Sequence, residues 1–283
     1  MNADTNQGKK PFRPTKKLGQ NFLTDKNVIA RILDSAKINT DDVVLEVGPG
    51  KGALTGKIAS VAKNVYAIEK DKFLYNELLQ KYSSAENLTL INEDVLKTDL
   101  RDFQKNNKIK FIANLPYNIT SPVLSALTDN RDIFSEIIIM IQKEVGDRIT
   151  SEPGSKTYGS LSVIIQTYFN VTHLFTVPPS SFRPRPKVDS VVIKLEPIKK
   201  YSYKIKDTVL FSGVVKSSFS SRRKMIANSL RSQFGKEEID TCLERSRINS
   251  SRRAETVSVE EFIQLANCFY ELQQSTSSIS NSF

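Results

Sequence analysis

Two hydrophobic rhythms alternate along most of the chain. Short, mostly apolar runs at 43–47, 65–68, 88–91, 111–113 and 136–141 are strand length. Between them, apolar residues fall three and four apart. Val28, Ile29, Ile32, Leu33 and Ala36 mark the first such stripe and predict a helix over 25–36. Similar spacing predicts helices over 53–62 and 72–82, from about Ser121-Pro122, and over 161–168. Two further strands are predicted over 171–177 and 188–195. Strand and helix recur roughly every 20 to 25 residues, the signature of a parallel, doubly wound sheet. The last two strands are joined by a proline-rich loop too short for a crossover helix, so they are expected to pair antiparallel at one edge.

The rhythm changes at Pro197-Ile198-Lys199-Lys200. Beyond it only helical spacing remains, over 208–219, 222–234, 236–244 and 259–271. Ser258 opens the last, with Glu261 three positions on as its capping partner. The expected organisation is a basic mobile tail (1–17), an α/β domain (18–198), a smaller all-helical domain (199–274) and a disordered serine-rich tail (275–283).

Composition narrows the function. The 283 residues suit one large domain, or a medium one with a smaller partner. No apolar run approaches the roughly 18 to 20 residues that span a bilayer, and no secretory leader is evident, so no membrane role and a cytoplasmic location are expected. Cys242 and Cys268 are expected to be reduced and buried. With His173 the only histidine, histidine triads and most zinc sites are excluded, and no metal is expected. The net charge is +10. Lys9, Lys10, Arg13, Lys16 and Lys17 precede Asp25 with only Asp4 among them. Lys216, Arg222, Arg223, Lys224 and Arg231 lie in a stretch without acids. Either cluster alone fits a solvated face; two together favour a nucleic acid.

Gly48-Pro49-Gly50-Lys51-Gly52 joins the first strand to the next helix, where backbone must approach a ligand closely. No Gly-Lys-Ser/Thr closes it, so it is not a P-loop. Glu69, at the end of the second strand, can accept from both hydroxyls of a ribose. Glycines and Glu69 together fit NAD or another nucleoside cofactor. Glu46, just before the turn, favours S-adenosylmethionine, because it would repel a pyrophosphate and attract an ammonium and a sulfonium. Asp94, near the end of the third strand, can accept from an adenine amine.

Asn114-Leu115-Pro116-Tyr117 follows the fourth strand. It supplies an amide side chain, a free backbone carbonyl, a rigid proline and an aromatic face, the groups that hold a nucleobase by edge and face. Taken alone it fits a proline turn with a half-buried tyrosine equally well. Its place at the same sheet end as the glycine loop brings a methyl donor and a base clamp together.

That tetrapeptide resembles the motif of adenine-N6 methyltransferases, and the chain from about 16 to 268 resembles the ribosomal RNA adenine dimethylase family. The resemblance rests on Lys17-Leu18-Gly19-Gln20-Asn21-Phe22-Leu23, on the loop from Glu46 to Gly52, and on Ser181-Phe182-Arg183-Pro184-Arg185-Pro186-Lys187-Val188-Asp189-Ser190. Arg222-Arg223-Lys224 and Arg253-Ala254-Glu255 add to it. It implies a Rossmann-like class I methyltransferase sheet and S-adenosylmethionine as cofactor, bound by Asn21, Leu23, Gly48, Glu69, Asp94 and Asn114. It implies catalysis by the 114–117 tetrapeptide, with Asn114 and Tyr117 gripping the adenosine. Phe182 is a candidate second aromatic wall, or else a core phenylalanine, and Arg222, Arg223 and Lys224 are candidate RNA contacts. The implied reaction is dimethylation of two adjacent adenosines near the 3′ end of small-subunit ribosomal RNA, by a monomer acting on an immature ribosomal subunit.

Overall fold

The computed structural model describes residues 19–105, 107–198 and 204–280, the side chains of 276–280 excepted. The tail 1–17 with its lysines, Leu18, and the boundary residues Lys199 and Lys200 lie outside the described residues.

The chain enters through a two-residue strand, β1 (Phe22–Leu23), and a helix, α1 (Lys26–Ala36). Asp25 caps that helix by accepting from the Asn27 and Val28 amides. Strand β2 (Val43–Val47), helix α2 (Thr55–Ala59), β3 (Asn64–Ile68), α3 (Lys72–Lys81) and β4 (Leu88–Ile91) follow in regular alternation. Then come β5 (Ile109–Asn114), α4 (Thr120–Asp129), β6 (Phe134–Gln142), α5 (Lys143–Ile149), α6 (Ser160–Tyr168) and β7 (Phe169–Val177). A second two-residue strand, β8 (Phe182–Arg183), precedes β9 (Ser190–Pro197).

Seven strands form one sheet in the order β4-β3-β2-β5-β6-β9-β7. The first five run parallel. The antiparallel edge expected from the short linker is present: β9 runs antiparallel to both β6 and β7. Chain order reverses between β2 and β5, and a doubly wound sheet opens its ligand crevice at such a point. Alternate residues of the central strands face opposite layers. Val44, Ile112, Ile138 and Met140 pack against α1 and α2, whereas Leu45, Phe111, Ile137 and Ile139 pack against α4 and α6.

The C-terminal helices are α7 (Thr208–Ser218), α8 (Ile226–Leu230), α9 (Lys236–Arg245) and α10 (Val259–Ser280). Their core takes in Tyr158 and Val163 from the α/β part. The Tyr158 hydroxyl donates to the Val257 carbonyl at 3.0 Å. Ser258 and Glu261 form the expected capping pair. Cys242 and Cys268 are free and buried. No helix among the described residues is long and apolar enough to cross a membrane.

Three expectations are corrected. The helix expected over 53–62 is confined to α2, because the tight glycine turn consumes the residues before it. The helix expected over 222–234 begins only at Ile226, whose amide donates to the Arg252 carbonyl. Arg222, Arg223 and Lys224 therefore sit in a turn before α8 and not on a helix. Helix α10 runs past Glu271 into the serine-rich segment as far as Ser280.

Candidate active site

β2 delivers Glu46 and the glycine turn to the crevice. Gly48, Gly50 and Gly52 all have positive φ, at 69°, 59° and 75°, a backbone region that side chains with a Cβ rarely adopt. A Cβ on Gly50 would meet the Phe22 ring at 3.1 Å, so β1 lies directly over the loop. Gly48 faces the other half of the site, and a Cβ there would come 3.6 Å from the Asn114 carbonyl oxygen.

Three carboxylates surround this turn in different electrostatic states. Glu46 is 2% exposed, and its Oε2 finds no partner among the described residues. Burial pushes its carboxyl up to about 8, the negative charge of Glu69 adds to this, and the Thr55 hydroxyl opposes it. A buried oxygen without a partner is costly unless a ligand satisfies it. A cationic ligand does so, and it draws the carboxyl back to its ionised form. Glu69 is raised by burial as well, and the amides of Asp71 and Gly50 partly offset this by donating to its two oxygens at 2.8 and 3.0 Å. Each oxygen keeps a lone pair for a ribose hydroxyl. Asp94 is lowered, chiefly by the Lys70 ammonium 2.7 Å away. The donor set fits S-adenosylmethionine.

The segment 19–24 straps across the crevice and ties four elements together. The Gln20 amide donates to Asp71 at 2.9 Å. The Asn21 carbonyl accepts from the Asn114 side chain at 3.2 Å. Phe22 and Leu23 pair with Arg183 and Phe182 as an antiparallel β1–β8 ribbon. The Thr24 amide donates to the Ser181 carbonyl at 2.9 Å, and the Ser181 hydroxyl donates to Asp25 at 3.0 Å. Two-residue strands are too short for periodicity to mark, so this ribbon was not legible beforehand.

On the other side of the turn, β5 ends at Asn114. Because its Nδ2 donates to Asn21, its Oδ1 remains to accept from a ligand. The Leu115 amide is fixed to the Met140 carbonyl at 3.1 Å, and no hydrogen bond among the described residues reaches the Leu115 carbonyl. The Pro116 carbonyl accepts from the Ile119 amide, closing the turn that presents Tyr117. Tyr117 is half-buried, and burial raises its phenol. Its hydroxyl lies 2.9 Å from that of buried Ser190, a partner that sequence marked only as the end of a motif. Phe182 is buried yet borders the same cavity.

One cavity thus collects Asn21, Leu23, Gly48, Glu69, Asp94 and Asn114 together with Leu115, Pro116, Tyr117 and Phe182. Arg222, Arg223 and Lys224 do not line it. Arg222 donates to the carbonyls of Lys156 and Tyr158, which makes it a tie between the helices and the α/β part. Arg223 and Lys224 are exposed.

The family described as ribosomal RNA adenine dimethylase matches residues 12–271. A ribosomal RNA small subunit methyltransferase A of Clostridium botulinum is 45% identical, over 96% of this chain and 100% of its own. That of Geobacter metallireducens is 43% identical, over 92% and 97%. A crystal structure of a dimethyladenosine transferase from Plasmodium falciparum superposes with a TM-score of 0.74 at 29% identity, covering 86% of this chain and 95% of that one. The 23S rRNA methyltransferase ErmE superposes at 0.69 with 25% identity, covering 88% and 99%. The chain belongs to the ribosomal RNA adenine dimethylase family, and it is an S-adenosylmethionine-dependent rRNA methyltransferase.

Proposed function

We propose that this protein dimethylates N6 of two adjacent adenosines near the 3′ end of small-subunit ribosomal RNA, as a cytoplasmic monomer acting on an immature subunit. The observation that carries the reading is the meeting of two unsatisfied groups across the glycine turn: the buried Glu46 oxygen on one side, and the Asn114 Oδ1 with the Leu115 carbonyl on the other. The small-subunit target is supported by the 45% identity to a small-subunit methyltransferase, against 25% to ErmE.

S-adenosylmethionine, when bound, supplies an electrophilic methyl group, and Glu46, Glu69 and Asp94 are the residues that would hold it. The chain's own work lies on the adenine. Its N6 lone pair is delocalised into the ring and is a poor nucleophile. Asn114 Oδ1 and the Leu115 carbonyl accept the two N6 hydrogens, draw the nitrogen toward tetrahedral geometry and stabilise its developing positive charge. Methylated N6 is acidic, so its proton leaves without a strong base. Tyr117 stacks on the base, which must leave its helix to enter. In the second transfer one of the two acceptors goes unpaired.

The test is to map N6,N6-dimethyladenosine in ribosomal RNA from cells lacking the protein, and to restore it with purified protein on isolated immature subunits. Loss and recovery at adjacent small-subunit adenosines support the reading. An unchanged small-subunit RNA, or loss at a large-subunit adenosine, overturns it.

A further inference from the structure

The segment that runs from β8 into β9 starts at Phe182, which borders the cavity, and ends at Ser190, which holds the Tyr117 hydroxyl. Its two ends are therefore built into the adenine slot, and the residues between them, Pro186 excepted, are exposed. Arg183, Arg185 and Lys187 lie on that span, all exposed, with Asp189 as its one acid. The Arg183 guanidinium turns back on the loop and donates to the Phe182 carbonyl at 2.9 Å. Arg185 and Lys187 meet no acidic partner among the described residues. Pro184 and Pro186 flank Arg185 and restrict its backbone, which lowers the entropy lost when it is immobilised by a ligand.

We propose that Arg185 and Lys187 grip the two backbone phosphates flanking the extruded adenosine. This rests on the reading that an RNA adenosine enters the slot. A flipped nucleotide stays tied to its strand by its own phosphates, so those anions must stand at the mouth when the base is inside. Cations on a loop whose ends form the slot walls tie backbone position to base position. Arg223 and Lys224 do not line the cavity, so they can add affinity but do not orient the base.

The experiment compares full-length protein with the Arg185→Gln/Lys187→Gln and Arg223→Gln/Lys224→Gln variants. The probe is an RNA hairpin whose loop holds two adjacent adenosines followed by 2-aminopurine, which brightens when the base stacked on it is extruded. Two lost single-strand phosphate contacts should reduce the slope of log affinity against log salt by about 1.4 in either variant. At saturating RNA, only Arg185→Gln/Lys187→Gln should lose the 2-aminopurine signal, with S-adenosylmethionine affinity and thermal stability unchanged. A wild-type slope or a wild-type signal in that variant overturns the proposal. Absence of the signal in the wild-type protein overturns both this proposal and the adenosine-slot reading. Methylation of immature subunits with a wild-type response from the loop variant would sink the phosphate grip alone.

Discussion

The Asn114 side-chain amide donates to the Asn21 carbonyl at 3.2 Å, across 93 positions of sequence. This bond fixes which end of the amide meets the substrate, leaving Oδ1 as the acceptor. Asn114→Ala should lower methyl transfer on the order of 10² to 10³-fold, with a smaller loss of cofactor affinity measured separately by calorimetry. Asn114→Asp keeps an acceptor but sets a carboxylate against the Asn21 carbonyl, so it should also lower the melting temperature. Near-normal transfer by folded Asn114→Ala would remove Oδ1 from the chemistry.

Tyr117 is held at its far end by Ser190. Ser190→Ala and Tyr117→Phe each delete that hydrogen bond and keep the ring. Each should raise KM for RNA by roughly two- to tenfold, the equivalent of about 0.5–1.5 kcal/mol. The double variant should be no worse than either single one, since both remove the same contact. Tyr117→Ala, which loses the stacking face, should cost more, about 1–3 kcal/mol. Additive effects in the cycle would show that the two hydroxyls act separately.

Glu46 links stability to pH. Its folded carboxyl is raised from 4.5 to about 8, so its contribution is present below about pH 4.5 and is lost as pH rises through about 8. The cofactor-free protein should therefore melt at falling temperature across that window, and Glu46→Gln should flatten the fall. A bound cation favours the ionised form, so the gain in melting temperature from S-adenosylmethionine should grow with pH in the wild type. A pH-independent gain would place the cation elsewhere.

Arg222 and its neighbours should separate cleanly. Arg222→Ala removes hydrogen bonds from a charged group to two carbonyls and should lower the melting temperature on the order of 2 to 6 °C. Arg223→Ala/Lys224→Ala should leave melting within about 0.5 kcal/mol of wild type and reduce the RNA salt slope by about 1.4. A slope change confined to Arg222→Ala would reverse these assignments.

Most of the sheet could be read from sequence because each central strand is buried on both faces and so forms an apolar run bounded by turns. The loop at 48–52 and the tetrapeptide at 114–117 could be read because glycine and proline constrain backbone locally. What could not be read depends on distant partners. The β1–β8 ribbon has only two residues on each side, and Ser190 gains its meaning from a tyrosine 73 positions away. Arg222 looked like its neighbours because charge patterning records the cation and not the carbonyls of Lys156 and Tyr158.

The β1–β8 ribbon also sets an order of events. Thr24 and Ser181, bonded beside it, are 157 positions apart. A nascent chain emerging N-terminus first can pair strands β2 to β6 before the strap has its strand partner, whereas β7 must wait for β9. Only once Phe182 and Arg183 have emerged does Phe22 gain the partner that holds it over Gly50. The cofactor pocket is thus closed late in the α/β domain's synthesis, after most of its sheet has been made.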